Sequence, residues 1–248
     1  MRARARAAPV PCPVPRPVPD RSLPEALDLP EPGAAPHLWL VRTDGYAPGA
    51  AGVALLSPAE VRRRAAFDGD VERHRYTVAH VVLRRLLAGY LRQAPAKVPI
   101  SALPCASCGA PGGRPGLPGS TLHFSLSHCA DLALFAFARG PVGVDVEALP
   151  ERGTVDGVLA RLHPRERAEL AALPPGGRER AFVRCWTRKE AYLKGTGAGL
   201  AHGLGQPYTG SRGIPASVPG WRLTDVEVDP GYGAAVADSV LQLSVDHE

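Results

Sequence analysis

The chain switches between two hydrophobic periods. Leu38-Trp39-Leu40-Val41 is an apolar run of strand length. Ser57-Pro58-Ala59-Glu60 is a capping box with proline at the first helical position, which predicts a short helix to about Ala66. From Gly69-Asp70, the residues Val71, Val78, Ala79, Val82, Leu83, Leu86, Leu87 and Tyr90 recur at three and four positions, as on one helix face. Residues 93 to 120 are rich in Pro and Gly and predict a long loop. Period two then takes over. Leu122, Phe124 and Leu126 alternate with His123, Ser125 and Ser127, and a turn at Ser127–Asp131 leads into the apolar strand Leu132 to Ala138. After a Gly-Pro turn, Val142, Val144 and Val146 alternate with Gly143, Asp145 and Glu147. His163-Pro164-Arg165-Glu166 opens a second short helix and Ala181 to Lys194 a second amphipathic one. Trp221–Val228 and Tyr232–Ala237 make a hairpin around Asp229-Pro230-Gly231.

Each half therefore runs strand, short helix, long helix, hairpin. One constant shift that places Leu38 on Val144 also places Leu40 on Val146, Ser57-Pro58 on His163-Pro164, Tyr76 on Phe182 and Leu87 on Leu193. The expected fold class is α+β. It has two similar α/β halves related by a pseudo-twofold axis, each a small antiparallel sheet with packed helices, and a ligand cleft between them. The expected divisions are a tail over 1–36, an N-terminal half over 37–140 and a C-terminal half over 141–248. The tail holds ten of the 27 prolines, including the alternating run Pro9 to Pro19, and reads as extended, disordered and unable to enter a helix or a ladder.

Composition narrows the function classes. No apolar run approaches the roughly 18 residues of a membrane helix, and the first 20 residues lack the apolar stretch of a secretory signal. Five irregularly spaced cysteines argue against a disulfide framework and fit a reducing cytoplasm. The net charge of +5 favours an anionic partner. Only three of the 29 basic residues are lysines, Lys97, Lys189 and Lys194. Two of these fall within one short stretch of the second amphipathic helix.

Period two puts Gly143, Asp145 and Glu147 on one strand face. The two carboxylates belong either to a solvated face or to a hard-cation site; Mg²⁺ suits one or two carboxylates with waters and phosphate oxygens. Trp186, Glu190 and Lys194 share a helix face at i, i+4 and i+8. This is a surface Glu-to-Lys pair or, since arginine would serve a surface pair equally well here, a catalytic or phosphate-binding lysine. Ser127-His128 lacks the Gly-x-Ser-x-Gly elbow of a hydrolase and fits hydrogen bonding to a phosphate better. The arginine-rich first-half helices are mostly solvated face, with one or two positions able to hold phosphates bidentately. Cys105-x-x-Cys108 has no second Cys/His pair to complete a zinc site and reads as a loop pair without metal.

Taken in order, these segments resemble the 4′-phosphopantetheinyl transferases of the long, surfactin-synthetase type. The resemblance rests on Ser57-Pro58 with Phe67 and His74-Arg75, on Gly113-Arg114-Pro115, and on His123-Phe124-Ser125-Leu126-Ser127-His128. It continues through Val142-Gly143-Val144-Asp145-Val146-Glu147, Trp186-Thr187-Arg188-Lys189-Glu190-Ala191-Tyr192-Leu193-Lys194, and Val228-Asp229-Pro230-Gly231-Tyr232. It covers roughly residues 37 to 240. It implies a pseudo-twofold fold with coenzyme A between the halves, and transfer of the phosphopantetheine arm to a serine of an apo acyl or peptidyl carrier protein, leaving adenosine 3′,5′-bisphosphate. It also implies that Asp145, Glu147 and Glu190 hold Mg²⁺, that Glu190 helps deprotonate the serine, and that Lys194 assists the leaving phosphate. Arg63, Arg75, Arg114, Ser127 and His128 would bind the nucleotide phosphates, and Lys189 the pyrophosphate. Arg114 stands where lysine is usual, Ser125 where Asn is common, and Tyr76 where the family carries a small hydroxyl residue. With both halves on one chain, a monomer is expected, with no membrane and no nucleic acid among its partners. A non-catalytic carrier-binding module and a basic nucleic-acid-binding protein are the rival readings.

Overall fold

In the computed structural model, the residues described are 12–19, 26–106, 109–110, 113–151, 155–174, 176–199 and 203–240. In the first half, β2 (His37–Arg42) leads through α1 (Gly49–Val53) to α2 (Pro58–Ala65) and α3 (Asp70–Leu91). The hairpin β5 (His123–Cys129) and β6 (Leu132–Ala138) follows. In the second half, β7 (Val142–Ala148) leads through α4 (Asp156–Leu159) to α5 (Pro164–Ala171) and α6 (Arg178–Thr196), then to the hairpin β8 (Trp221–Val226) and β9 (Tyr232–Ser239). Among the described residues, the predicted loop over 93–120 carries only a 3₁₀ turn at Pro95–Lys97 and a two-residue ladder between β3 (Ser101–Ala102) and β4 (Pro115–Gly116).

Both short helices start as their capping boxes predict. Ser57 and Glu60 exchange hydrogen bonds across the first turn of α2. In α5 Glu166 accepts from His163 N, and the His163 ring accepts from Arg165 N. Each capping glutamate then takes a buried cation from the long helix that follows, Arg84 at 2.7 Å from Glu60 and Lys189 at 2.8 Å from Glu166.

Strand pairing repeats as well. In each sheet the first strand of the half lies beside the last, antiparallel: β2-β6-β5 in one and β7-β9-β8 in the other. Leu38, Leu134 and Ala136 of the first sheet pack on Val144, Val146 and Val236 of the second, and this apolar layer joins the halves. On the outer faces, α3 covers Trp39, Val41, Phe135 and Phe137, while Ala191 of α6 lies on Ala235 and Ala237. The result is four layers, helix, sheet, sheet, helix, with both long helices outside and the two edge strands β5 and β7 side by side.

The proline-rich segment departs from expectation. Arg16–Pro17 form β1, a parallel edge strand on Trp39–Leu40, so the first sheet is not wholly antiparallel. Val18 donates its N–H to Leu40 O and is buried in the first core. Pro13 O accepts from Glu227 N in the second half. The physical reason is the period of two. Prolines at 13, 15, 17 and 19 leave the even residues free to donate to β2, and their missing N–H groups fall on the outer edge, where nothing needs them. Residues 1–11 and 20–25 of the predicted tail lie outside the described residues.

Candidate active site

Among the described residues, the predicted acidic and basic groups converge between β5, β7 and α6. Gly143 sets it up. A Cβ built there would stand 1.9 Å from Ala191 O and 2.3 Å from Gly195 N, so α6 runs directly against the β7 backbone. Asp145, two residues on, therefore points at the same helix, with only 2% of its surface exposed. Lys194 Nζ lies 2.6 Å from Asp145 Oδ1 and 2.9 Å from Ser127 Oγ, and Ser127 Oγ donates to the same Asp145 oxygen at 2.8 Å.

Glu190, one turn before Lys194, faces the same space. Burial is the main cause that pushes its carboxyl up to about 7, and the negative charge of Asp145 adds to it. Glu147 is raised by burial and then by Asp145, while hydrogen bonds from the Cys129 thiol and Trp186 pull the other way. Trp186, Glu190 and Lys194 thus share one helix face, as the spacing predicts. Two oxygens there, Asp145 Oδ2 and Glu190 Oε1, are buried without a hydrogen-bond partner. Burying unpaired carboxylate oxygen is costly, and a cation is the group that would satisfy it.

The donors are hard oxygens, which suit Mg²⁺. Among the described residues no three His, Cys, Asp or Glu side chains are gathered closely enough to hold a metal ion on their own. Lys194 takes up one oxygen of Asp145. The arrangement fits a Mg²⁺ that keeps waters and substrate phosphate oxygens and uses few protein ligands, and it does not form a closed cage.

The predicted phosphate ligands separate. His128 is exposed beside the acidic seam; partial burial of its ring lowers its pKa, and neighbouring His80, Lys194 and Arg75 lower it further. Arg75 thus stands near enough to the His128 ring to disfavour its charged form, a proximity that neither sequence segment shows alone. Arg63, exposed on α2, lies over the Phe67 ring at 5.3 Å. Arg114 extends to Val142 O and Lys194 O at 3.3 and 3.4 Å, and burial lowers its pKa; its guanidinium sits where β7 starts and α6 ends.

Three expectations are corrected. Ser127 and His128 lie within β5, with the turn at Ala130 and Asp131, and the Ser127 hydroxyl is engaged with Asp145 and Lys194. Lys189 does not reach the seam. It is 1% exposed, donates to Pro207 O at 2.6 Å and pairs with fully buried Glu166. Adjacent helix positions differ by about 100°, so Lys189 and Glu190 must face different surroundings. Replacing Lys189 by Met is expected to destabilise the protein by about 3–5 kcal/mol, because fully buried Glu166 loses its ion-pair partner. Coenzyme A affinity should stay unchanged in calorimetric titration; a selective loss of affinity would restore the binding role. The third correction is the ladder formed by the proline segment. Of the Cys105-x-x-Cys108 pair, Cys108 lies outside the described residues.

Sequence reasoning missed Arg188, which is fully buried and bidentate to Asp225 at 2.6 Å on each arm, tying α6 to β8. It also missed Cys129, whose Sγ accepts from Ala148 N at 3.3 Å, although the alternation Ser125, Ser127, Cys129 was legible.

Comparison with known proteins gives the same direction. Residues 141–212, which contain Asp145, Glu147, Glu190 and Lys194, match the 4'-phosphopantetheinyl transferase superfamily profile. The chain is 34% identical over 208 residues to the 4'-phosphopantetheinyl transferase HetI of Nostoc sp., spanning 81% of this chain and 86% of that protein. It is 30% identical over 181 residues to the putative 4'-phosphopantetheinyl transferase slr0495 of Synechocystis sp., spanning 69% and 68%. It is 30% identical over 190 residues to a phosphopantetheinyl transferase of Thraustochytrium sp., spanning 70% and 65%. Similarity that runs through both halves, and takes in every acidic residue of the seam, means that this chain belongs to the 4'-phosphopantetheinyl transferase family.

Proposed function

We propose that the protein moves the 4′-phosphopantetheine group of coenzyme A onto a serine of an apo acyl or peptidyl carrier protein, with Mg²⁺, and releases adenosine 3′,5′-bisphosphate. The observation that carries this reading is the pair of orphaned carboxylate oxygens of Asp145 and Glu190, facing a lysine between two strand edges. Asp145, Glu147 and Glu190 would hold Mg²⁺, which when bound neutralises charge on the pyrophosphate oxygens.

The chain's own groups supply the rest. Glu190, with its carboxyl near 7, suits a base that accepts the proton of the carrier serine. The serine oxygen bonds to the phosphorus on the pantetheine side. The bond from that phosphorus to the bridging oxygen breaks, and the nucleotide leaves with the electron pair. Lys194 donates to the leaving phosphate from its place on Asp145. Arg75 would offer the nucleotide phosphates a positive charge and His128 a ring hydrogen bond, with Arg63 and Arg114 as further candidate phosphate ligands. The repeated strand order supports a pseudo-twofold arrangement of the halves and assignment to the long, surfactin-synthetase-type class, acting as a cytoplasmic monomer.

Mass spectrometry of several apo carrier proteins incubated with the protein, coenzyme A and Mg²⁺ tests the reading. A gain of one phosphopantetheine group on the carrier serine is expected. Unchanged mass for every carrier, with the same carriers modified by an established transferase, would refute it.

A further inference from the structure

The two sheets face each other like the covers of a book, with the apolar layer between them. Their strand order puts β5 and β7 at the spine and β1 and β8 at the open side. Among the described residues the spine carries no backbone ladder. Side chains join it instead. Ser125 Oγ accepts from Val144 N at 3.1 Å, Ser127 Oγ donates to Asp145 Oδ1 at 2.8 Å, and Cys129 Sγ accepts from Ala148 N at 3.3 Å. The apolar layer favours contact between the covers, but it is non-directional and does not fix their angle.

The N-terminal chain acts on the open side. Arg16 and Pro17 pair with Trp39 and Leu40, and Val18 N donates to Leu40 O at 2.9 Å. The Val18 side chain is 7% exposed in the first core, and the Arg16 guanidinium lies 5.6 Å from the centre of the Trp39 ring. From this anchorage the same chain reaches the second half at two points. Pro13 O accepts from Glu227 N at 3.0 Å, just past the end of β8, and Ala34 O accepts from Arg222 Nη2 at 3.2 Å, near its start. Both ends of β8 are thus tied to a segment built into the first half. Arg42 also pairs with Asp229 between the halves, but that pair is solvent-exposed and weak in water.

We infer that residues 13–18 are a clasp. By holding the open side they fix the angle between the halves, and so keep the spine closed where Ser127 of one half bonds Asp145 and Lys194 of the other. Each cover is a hydrogen-bonded sheet backed by a long helix and turns as one piece, so movement at the open side is carried to the spine. Proline suits the task. Its fixed φ at positions 13, 15 and 17 holds the segment extended before it docks, which lessens the entropy lost on ordering.

Amide hydrogen exchange of the full-length protein, followed by NMR, tests the clasp. The reporters are Val144 N–H and Ala148 N–H, because their bonds cross the spine and lie outside the β7–β9 ladder. Glu227→Pro removes the N–H that Pro13 O accepts. Val18→Asp expels the clasp from the first core by placing a charge there. Each variant is expected to speed exchange at both reporters by about 5-fold or more, the loss of roughly one hydrogen bond's worth of local closure. The buried amides of Val82 and Leu86 in α3 should keep their rates. Reporters that stay within about two-fold of the unsubstituted protein in either folded variant would overturn the inference. Equal acceleration of the reporters and the α3 amides would overturn it too, since that is general destabilisation. Should Val18→Asp not fold, Glu227→Pro decides alone. No ligand enters the measurement, so unchanged reporters leave the transfer reading untouched, and unmodified carriers leave the clasp untouched.

Discussion

Glu190→Gln is expected to lower phosphopantetheine transfer by about 10³-fold, within the range for losing a general base, while coenzyme A binding falls far less. Glutamine keeps the size and the hydrogen-bonding oxygen but cannot take the serine proton. It also lacks the charge that faces a cation. The same substitution has a second consequence, opposite in sign. Burial, with Asp145 close by, holds the Glu190 carboxyl up at about 7. A carboxyl raised on folding contributes stability that is complete below its unfolded range near 4.5 and is lost as pH rises through 7. Above pH 7 the ionised group burdens the metal-free protein, by an amount on the order of 2 kcal/mol. Glu190→Gln should therefore raise the melting temperature of the metal-free protein at pH 8, and this gain should fade as the pH approaches 4.5. Equal melting curves at pH 8, or full turnover by the variant, would remove Glu190 from the role assigned to it.

Gly143→Ala should be the most damaging glycine substitution among the described residues. The added methyl meets Ala191 O at 1.9 Å, Gly195 N at 2.3 Å and the Gly195 Cα at 2.9 Å. All three are backbone atoms, so no side chain can swing away. Either α6 lifts from β7 or the strand bends, and both choices open the layer in which Val142, Val144 and Val146 are fully buried. A cost of about 4 kcal/mol or more is expected, in the class of severe core disruption. For a chain of this size that corresponds to a fall of roughly 10 °C in melting temperature. Any folded fraction should also lose transfer, because a displaced α6 carries Glu190 and Lys194 away from Asp145. A melting temperature within a few degrees of the parent would show that the contact between β7 and α6 is softer than the geometry says.

These two residues mark the boundary between what the chain spells out locally and what it does not. Capping boxes at Ser57 and His163, the helical period from Val71 to Tyr90, and the alternation from Val142 to Glu147 all specify elements, because each depends on contacts within a few residues. That alternation also placed Gly143, Asp145 and Glu147 on one face, and helical spacing placed Trp186, Glu190 and Lys194 on another. Both placements hold in the structure. The repeated order of elements in the two halves was legible in the same way.

Only the tertiary structure decided which faces meet. The close approach at Gly143 brings α6 onto β7, a contact between segments about 50 residues apart that no local period encodes. Lys189 and Glu190 are neighbours in sequence, yet one neutralises Glu166 in the second core and the other faces the seam. The proline segment forms a ladder because its donor-bearing residues fall in register with Leu40, which depends on where β2 lies. Ser127, Cys129 and Arg114 found partners on β7 and α6, not on a ligand, since buried backbone and carboxylate groups must be satisfied first. Local periodicity fixes which way a side chain points; long-range packing fixes what it finds there.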